Sequence, residues 1–413
     1  MNRFGKLTIK RLSVREPGHI LLMFLLFLMG MNFQGKFFYW VFGAFFVWMF
    51  TCPSRARLDL SLIMLLILSS SLIIFDPSAA GSISGLLRPI GYVLCYVLGR
   101  GLFDSYKGEW SQAAVRAYIL KIFWVLTFGL MAHVLLNFFL NLGSLNRNII
   151  DVWTKSSLSA TGQAALSCLP VAVTSAFLFV QEERRKKLLA AAILIFIFIN
   201  NLMLAGRTLL LYILLCLTMG LGYFLFFADV PQNKKIRFLW VCTVLLILFF
   251  AAYQLDLFQI RTLLIESNLY IRYDRFFEGA LLKDTRMDHK RLFLENMDLS
   301  LWGGNHIYKT YGNYAHDLYL DTYDYVGIFA FAGVCMYSIF SVMRMMRCVF
   351  NRKIDWQLRQ IILSFYLVFH LEFWIEPILK GIPWFFALFC LIDGMIGSYL
   401  SIRHRLEESE HAD

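Results

Sequence analysis

Long apolar runs recur along the chain. They begin near His19, Phe37, Leu58, Ser84, Ala114, Gly162, Leu188, Thr208, Phe238, Leu318, Arg359 and Gly381, and polar connections divide them. A helix needs about 20 apolar residues to cross the hydrocarbon core, where no water can satisfy an open backbone. The pattern therefore predicts an all-α, polytopic membrane protein of about a dozen transmembrane helices. A basic start precedes the run from His19 to Phe33 and no small-residue cleavage site follows it, so this stretch is expected to be an uncleaved first helix.

The connection from Leu255 to His316 departs from this rhythm. Connections much longer than ~15 residues in a compact protein are functional or disordered as a rule. This one is rich in Arg, Tyr, Phe and Leu rather than Ser, Pro and Gly, which predicts that it packs on the bundle. Leu263-Leu264-Ile265 and Arg291-Leu292-Phe293-Leu294 are its expected short helices. The predicted organisation is one membrane domain over residues 1–413, with residues 255–316 as a large outer loop between the ninth and tenth helices.

Composition agrees with lipid as the solvent. Hydrophobic residues make up 59% of the chain and charged ones 16%, against about 45–50% and about 25% in a soluble protein. The mean hydropathy is +0.62. A net charge of +11 raises the question of a polyanionic partner. The basic residues, however, are dispersed in short clusters between apolar runs and form no single face, which argues for topology and against nucleic acid. Arg3, Lys6, Lys10, Arg11 and Arg15 precede the first run. Alternate connections then carry Arg55 and Arg57, Arg100 and Lys107, Arg184 to Lys187, Lys234 to Arg237, and Arg344 to Arg359, with Arg403 and Arg405 in the tail. Those between hold only Lys36, Arg147 and Lys155, Arg207, and Lys380. The positive-inside rule then predicts both termini in the cytoplasm and the long loop outside, since long loops translocate regardless of their charge. The eight Cys are scattered singly with no CxxC, so neither a zinc site nor a disulfide framework is expected.

Chemistry is expected where charge meets the outer surface. Arg207 stands in Leu204-Ala205-Gly206-Arg207-Thr208-Leu209, where a very short connection divides two apolar runs. Such an arginine either snorkels or meets an anion. Gly206 and Thr208 favour a helix start, whose free N–H groups suit phosphate. Arg88, near the start of the fourth run, has the same two readings. The loop adds Arg272, Arg275, Arg286, Lys290 and Arg291. Arginine stays charged and grips phosphate bidentately, although a solvated charge run is the default for most of these. His316 opens His316-Asp317-Leu318-Tyr319-Leu320-Asp321-Thr322-Tyr323-Asp324, where loop becomes helix. Helical spacing puts Asp317, Asp321 and Asp324 on one stripe. These carboxylates either suit a helix N-terminus or meet a cation, arginines or water. An imidazole is the natural group to take a sugar hydroxyl's proton near neutral pH.

Four stretches together resemble the O-antigen polymerase and ligase superfamily of bacterial membrane glycan transferases. Ala160-Thr161-Gly162-Gln163 is similar to its Thr-Gly helix start, and Gly206-Arg207-Thr208 to its arginine at the top of a helix. Thr285-Arg286, then Leu292-Phe293-Leu294-Glu295-Asn296 and Trp302-Gly303-Gly304-Asn305, resemble its loop arginine, short helix and glycine pair. His316 with Gly327 resembles its histidine-plus-glycine signature. The ligases usually have Asn, Ser or Gln where this chain has Asp317, and Ala330 stands three past Gly327, so repeat-unit polymerase is favoured over ligase.

The resemblance implies a GT-C-like bundle in the bacterial cytoplasmic membrane, with its active site on the outer face. It implies an inverting, metal-independent glycosyl transfer with no cofactor, from an undecaprenyl-pyrophosphate-linked glycan to a glycan acceptor. Arg207, Arg286 and His316 would be the catalytic residues, the arginines on the pyrophosphate and His316 on the acceptor hydroxyl. Arg88, Arg272, Arg275, Lys290, Asp317, Tyr319 and Asp321 would contact substrate. A flippase and a chain-length regulator are the implied protein partners. Two other readings compete: a secondary transporter, which shares the topology, and a metal-dependent transferase with Asp317, Asp321 and Asp324 as ligands.

Overall fold

The structure is a computed structural model and describes residues 17–51, 58–76, 82–104, 111–144, 146–179, 184–271 and 285–412. Three short apolar helices come first, α1 (Pro17–Gly30), α2 (Phe37–Thr51) and α3 (Leu60–Phe75). Six long ones follow: α4 (Ile83–Asp104), α5 (Gln112–Leu140), α6 (Ala160–Leu178), α7 (Arg184–Leu204), α8 (Arg207–Phe226) and α9 (Gln232–Gln254). The long connection contains α10 (Ile260–Ile265), α11 (Thr285–Glu295) and α12 (His306–Tyr311). The chain then forms α13 (Leu318–Val326), α14 (Ile328–Phe350), α15 (Trp356–Ile375), α16 (Ile378–Gly381) and α17 (Pro383–Ala412). Among the described residues nine helices, α4 to α9, α14, α15 and α17, are long and apolar enough to cross a membrane. The protein is thus an all-α polytopic membrane protein.

The core centres on α6, α15 and α17, whose side chains are buried nearly all round. A helix apolar on every side belongs in such a place. By contrast α9 has no buried residue and lies at the rim. Helices α4 and α17 touch backbone to backbone, since a Cβ on Gly99 would come within 2.1 Å of the Leu391 carbonyl oxygen. Small residues at a helix crossing allow that approach in lipid, where packing must replace the hydrophobic drive.

Charge is also built into the bundle. Asp393 of α17 is 0% exposed and accepts hydrogen bonds from Tyr337 (2.9 Å), Tyr366 (2.5 Å) and Arg344. Arg344 also donates to Ser61 (2.8 Å) and Tyr96 (2.9 Å). This one ion pair ties α3, α4, α14, α15 and α17 together. At the other end of the bundle a hairpin of β1 (Asn148–Ile150) and β2 (Ser157–Ser159) covers α5 and α6. Its turn is anchored by Asp151, 2.7 Å from the buried His133, and by Asn137, whose side-chain oxygen accepts from Val152 N. The hairpin leads straight into α6, where Ser159 caps the helix through Gly162 N.

The apolar run starting at Leu318 is not one helix, contrary to the sequence reading. Gly327 has φ +94° and separates the short, buried α13 from the long α14, so the span begins at Ile328. The break is needed because the chain must receive Trp302-Gly303-Gly304-Asn305 from the loop. Gly304 N donates to Tyr325 O (3.1 Å), Asn305 N to Asp324 O (2.8 Å) and Ile328 N to Leu301 O (3.0 Å). A Cβ on Gly303 (φ +80°) would fall 2.6 Å from the Val326 carbonyl carbon, and one on Gly327 2.7 Å from that of Trp302. Both positive φ and backbone contact forbid a side chain here. Gly327→Ala is expected to destabilise by at least about 2 kcal/mol. A melting temperature for the detergent-solubilised variant equal to wild type would contradict this.

Candidate functional site

Five elements meet at the end of the bundle that carries the hairpin. Glu372, near the end of α15, is completely buried and accepts a hydrogen bond from the Tyr212 hydroxyl of α8, while its Oε1 has no hydrogen-bond partner among the described residues. One turn on, Glu376 caps α15, and its Oε1 lies 2.8 Å from Arg286 Nη2. Thr161, in the first turn of α6, and Arg147 lie near enough to favour its charged form. Burial pushes the Glu376 carboxyl up, while these cations and bonds pull it down.

Arg286, His289 and Lys290 recur at helical spacing on α11 and face the bundle together. Phe293, on the same face, is 1% exposed and anchors the helix in a small core with Ile307, Ala315 and Leu320. Lys290 Nζ is 2.9 Å from Asp317 Oδ2 and 5.5 Å from the centre of the Trp374 ring. His289 and His316 stack, with ring centres 6.0 Å apart and planes 18° from parallel. The Nδ1 atom of each ring has no hydrogen-bond partner among the described residues. His316 holds φ +55°, a conformation uncommon outside glycine that favours a functional reading of the position. Burial, then the positive charges of Arg286, His289 and Lys290, push its imidazole down to about 4. It is therefore neutral at physiological pH.

The aspartates of the stripe do not converge. Asp317 caps α13, accepting from Tyr319 N (2.9 Å) and Leu320 N (3.2 Å). Asn or Ser at this position would cap equally well. Asp321 accepts from Ala315 N (2.9 Å) and Asp317 N (3.0 Å), shaping the turn that presents His316. Its burial pushes that carboxyl up to about 7 even so. Asp324 accepts from Ser300 Oγ, Ile307 N and Tyr308 N and so clamps the loop. No cluster of three or more His, Cys, Asp or Glu side chains suited to a metal ion occurs among the described residues.

Other expected residues divide by place. Arg207 opens α8 and is half-buried. Its neighbour Gly206 approaches Asn201 and the Ala160 carbonyl, which sets the α8 start beside the α6 start. Tyr319 packs on Trp374, ring centres 5.3 Å apart, and donates to Ser338 Oγ at 3.2 Å. Arg88 stands apart: it is exposed on α4, a helix packed against α2, α3 and α17. Arg272 and Arg275 lie outside the described residues.

Sequence reasoning missed Glu372, Glu376, Tyr212, His289 and Lys380. The two glutamates carried a usable signal, because an acid inside an apolar run is costly unless it has a task. His289 could have been found at three positions past Arg286. Lys380 gave no such signal: its Nζ sits over Tyr325, Tyr308 and Tyr314 at 4.5, 5.0 and 5.2 Å and donates to Asn305, pinning the loop to α16. A scan against protein-family models and a search of curated proteins gave no match to this chain.

Proposed function

We propose that the protein is a glycan transferase that extends an undecaprenyl-pyrophosphate-linked saccharide on the outer face of the bacterial cytoplasmic membrane, polymerising repeat units of O-antigen, capsule or exopolysaccharide. The observation that carries this reading is the gathering of Arg286, His289, Lys290 and His316 beside Glu376 and Asp317, with the buried Glu372 and its partner Tyr212 one turn deeper. Clustered cations suit a pyrophosphate, and a neutral imidazole suits a hydroxyl.

In the proposed reaction the acceptor hydroxyl oxygen attacks the anomeric carbon of the donor sugar. The bond from that carbon to the pyrophosphate breaks with inversion, and the hydroxyl proton passes to His316. Undecaprenyl pyrophosphate leaves with the electron pair, its growing charge held by Arg286 and Arg207. The leaving group is already good, so the step requires no further activation. Glu376 holds the Arg286 guanidinium in place until the donor competes for it.

The electrostatics predict a pH signature. In the free protein burial, and after it the neighbouring cations, hold His316 at about 4. A bound pyrophosphate offsets those charges and moves the imidazole upward, so that it becomes a better base only when the donor is in place. Purified protein in vesicles, supplied with lipid-pyrophosphate-linked repeat units, is expected to form longer chains and release undecaprenyl pyrophosphate. Activity at limiting donor should fall only as pH drops toward about 4, whereas the saturated rate should fall at higher pH. No release of lipid pyrophosphate at any pH would overturn the proposal.

A further inference from the structure

Helices α6, α8 and α15 pack against one another, and their common seam carries a file of polar side chains. Gln357, Gln360, Ser364, Glu372 and Glu376 recur at helical spacing along α15 and just past its end. Gln360, Ser364 and Glu372 are each 0% exposed. A Cβ on Gly220 of α8 would fall 2.5 Å from Gln360 Nε2, so this side chain lies directly against α8. One turn outward, Cys216 of α8 lies near both Ser364 and Ser175 of α6. Val368 is the apolar member of the stripe, and there Cys168 of α6 lies near both Cys216 and Glu372. Tyr212 of α8 then donates to Glu372, with Glu376 and its partner Arg286 one turn further out. Gln357 and Glu376 are nineteen positions apart, roughly 28 Å along a helix and so close to the thickness of the hydrocarbon core.

Polar residues that only join helices in lipid bond to one another. These leave atoms over. Gln360 Nε2 and Oε1, Ser364 Oγ and Glu372 Oε1 have no hydrogen-bond partner among the described residues, and neither does Gln357 Nε2. Buried polar atoms are rarely left so, and where several adjoin they hold ordered water, each molecule bonded to roughly two to four of them. A thiol between such groups can donate or accept weakly and keeps the file continuous. At the end that the positive-inside rule assigns to the cytoplasm, the file reaches Gln357, which takes a hydrogen bond from Arg116 (2.9 Å) and lines a groove of about 430 Å³. An ionisable side chain inside a span marks an ion or proton path by default.

We infer that this seam is a proton path across the bundle, with bound water joining Gln357, Gln360 and Ser364 and with Glu372 as the relay carboxyl. A proton arriving through Glu376 forms an O–H bond on Glu372, and the carboxyl then gives it up to water on the Ser364 side. No other atom is consumed. Tyr212 from α8, Cys168 from α6, Glu376 and Arg286 from α11 are the groups that act on Glu372. The one cation among them is paired with Glu376 at the outer end, so none bars the interior of the file. Fully buried side chains on three helices leave no open pore, so protons are expected to pass and sodium ions are not. An outside-positive potential would draw inward the proton released in the proposed transfer, but the path does not rest on that reaction.

Full-length protein in lipid vesicles, with a pH-sensitive dye inside and a potassium diffusion potential set by valinomycin, reads the path directly. Wild type is expected to raise proton entry at least about tenfold over protein-free vesicles, with no gain in sodium entry. Gln360→Leu with Ser364→Ala removes the atoms that hold water in the inner half and should return proton entry to the protein-free rate. Glu372→Gln keeps the shape, loses the titrating group and should do the same. The two changes lie at different depths, so either variant that melts like wild type decides the matter. Proton entry by wild type equal to that of protein-free vesicles, entry undiminished in a folded variant, or sodium entry rising in parallel would overturn the path.

Discussion

Arg286→Ala is expected to reduce glycan transfer by at least about a hundredfold while the protein remains in the membrane at its normal level. The guanidinium sits at the start of α11, paired with Glu376 and near enough to His316 to depress its basicity. In the proposed reaction its attraction to the pyrophosphate strengthens as the leaving group gains charge, so its removal costs more in the transition state than in the bound state. Lysine should not rescue it, because a point charge cannot span two phosphate oxygens as a planar fork does. Removing Arg286 also leaves Glu376 buried without its cation, so Arg286→Ala with Glu376→Gln is the control for folding. Cells carrying either form should display surface glycan as single repeat units. His316→Ala should give the same display for a different reason, the loss of the group that takes the hydroxyl proton. Arg286→Gln adds an independent readout, since removal of one nearby cation should raise the His316 pKa. Long-chain glycan from Arg207, Arg286 and His316 variants alike, all expressed normally, would remove the mechanism.

Asp393→Ala is expected to destabilise the bundle by about 3–5 kcal/mol. The carboxylate is fully buried and accepts from Arg344, Tyr337 and Tyr366. Its loss strands a guanidinium and two phenols in an apolar interior, where each must find a new partner or go without. The cost comes from what is left behind more than from the attraction that is lost. Arg344→Met combined with Asp393→Met should therefore recover a large part of the stability, because neither charge remains to be desolvated. Thermal unfolding in detergent measures both. A single variant as stable as wild type, or a double variant less stable than the single, would show that the pair contributes in some other way.

The four stretches that resembled a glycan-transferase signature were legible because each is a local pattern: a capped helix start, an arginine after glycine, a glycine pair, and a histidine before a glycine. Their mutual relation was not legible. Gly303 and Gly327 stood as separate marks in the chain, yet each exists because the other's backbone lies against it. Arg286 of the loop and the start of α6 come near each other at Glu376, which comes from a third part of the chain. The aspartate stripe after His316 could be read as ligands or as helix-end acids, and the backbone N–H groups it meets favour the second.

Residue chemistry alone decides that the chain is helical and lives in lipid, because an apolar run of about 20 residues has few other stable fates. It also marks most of the apolar helices and which connections are basic, though not the start of the span at Ile328. Within the long connection, α10 and α11 form on the apolar pieces that its composition singles out. Tertiary structure decides which helix ends gather, how Gly327 divides a continuous apolar run, and which charged side chain neutralises which. Those outcomes rest on contacts between residues far apart in the chain, whose strength depends on distance and burial rather than on residue type.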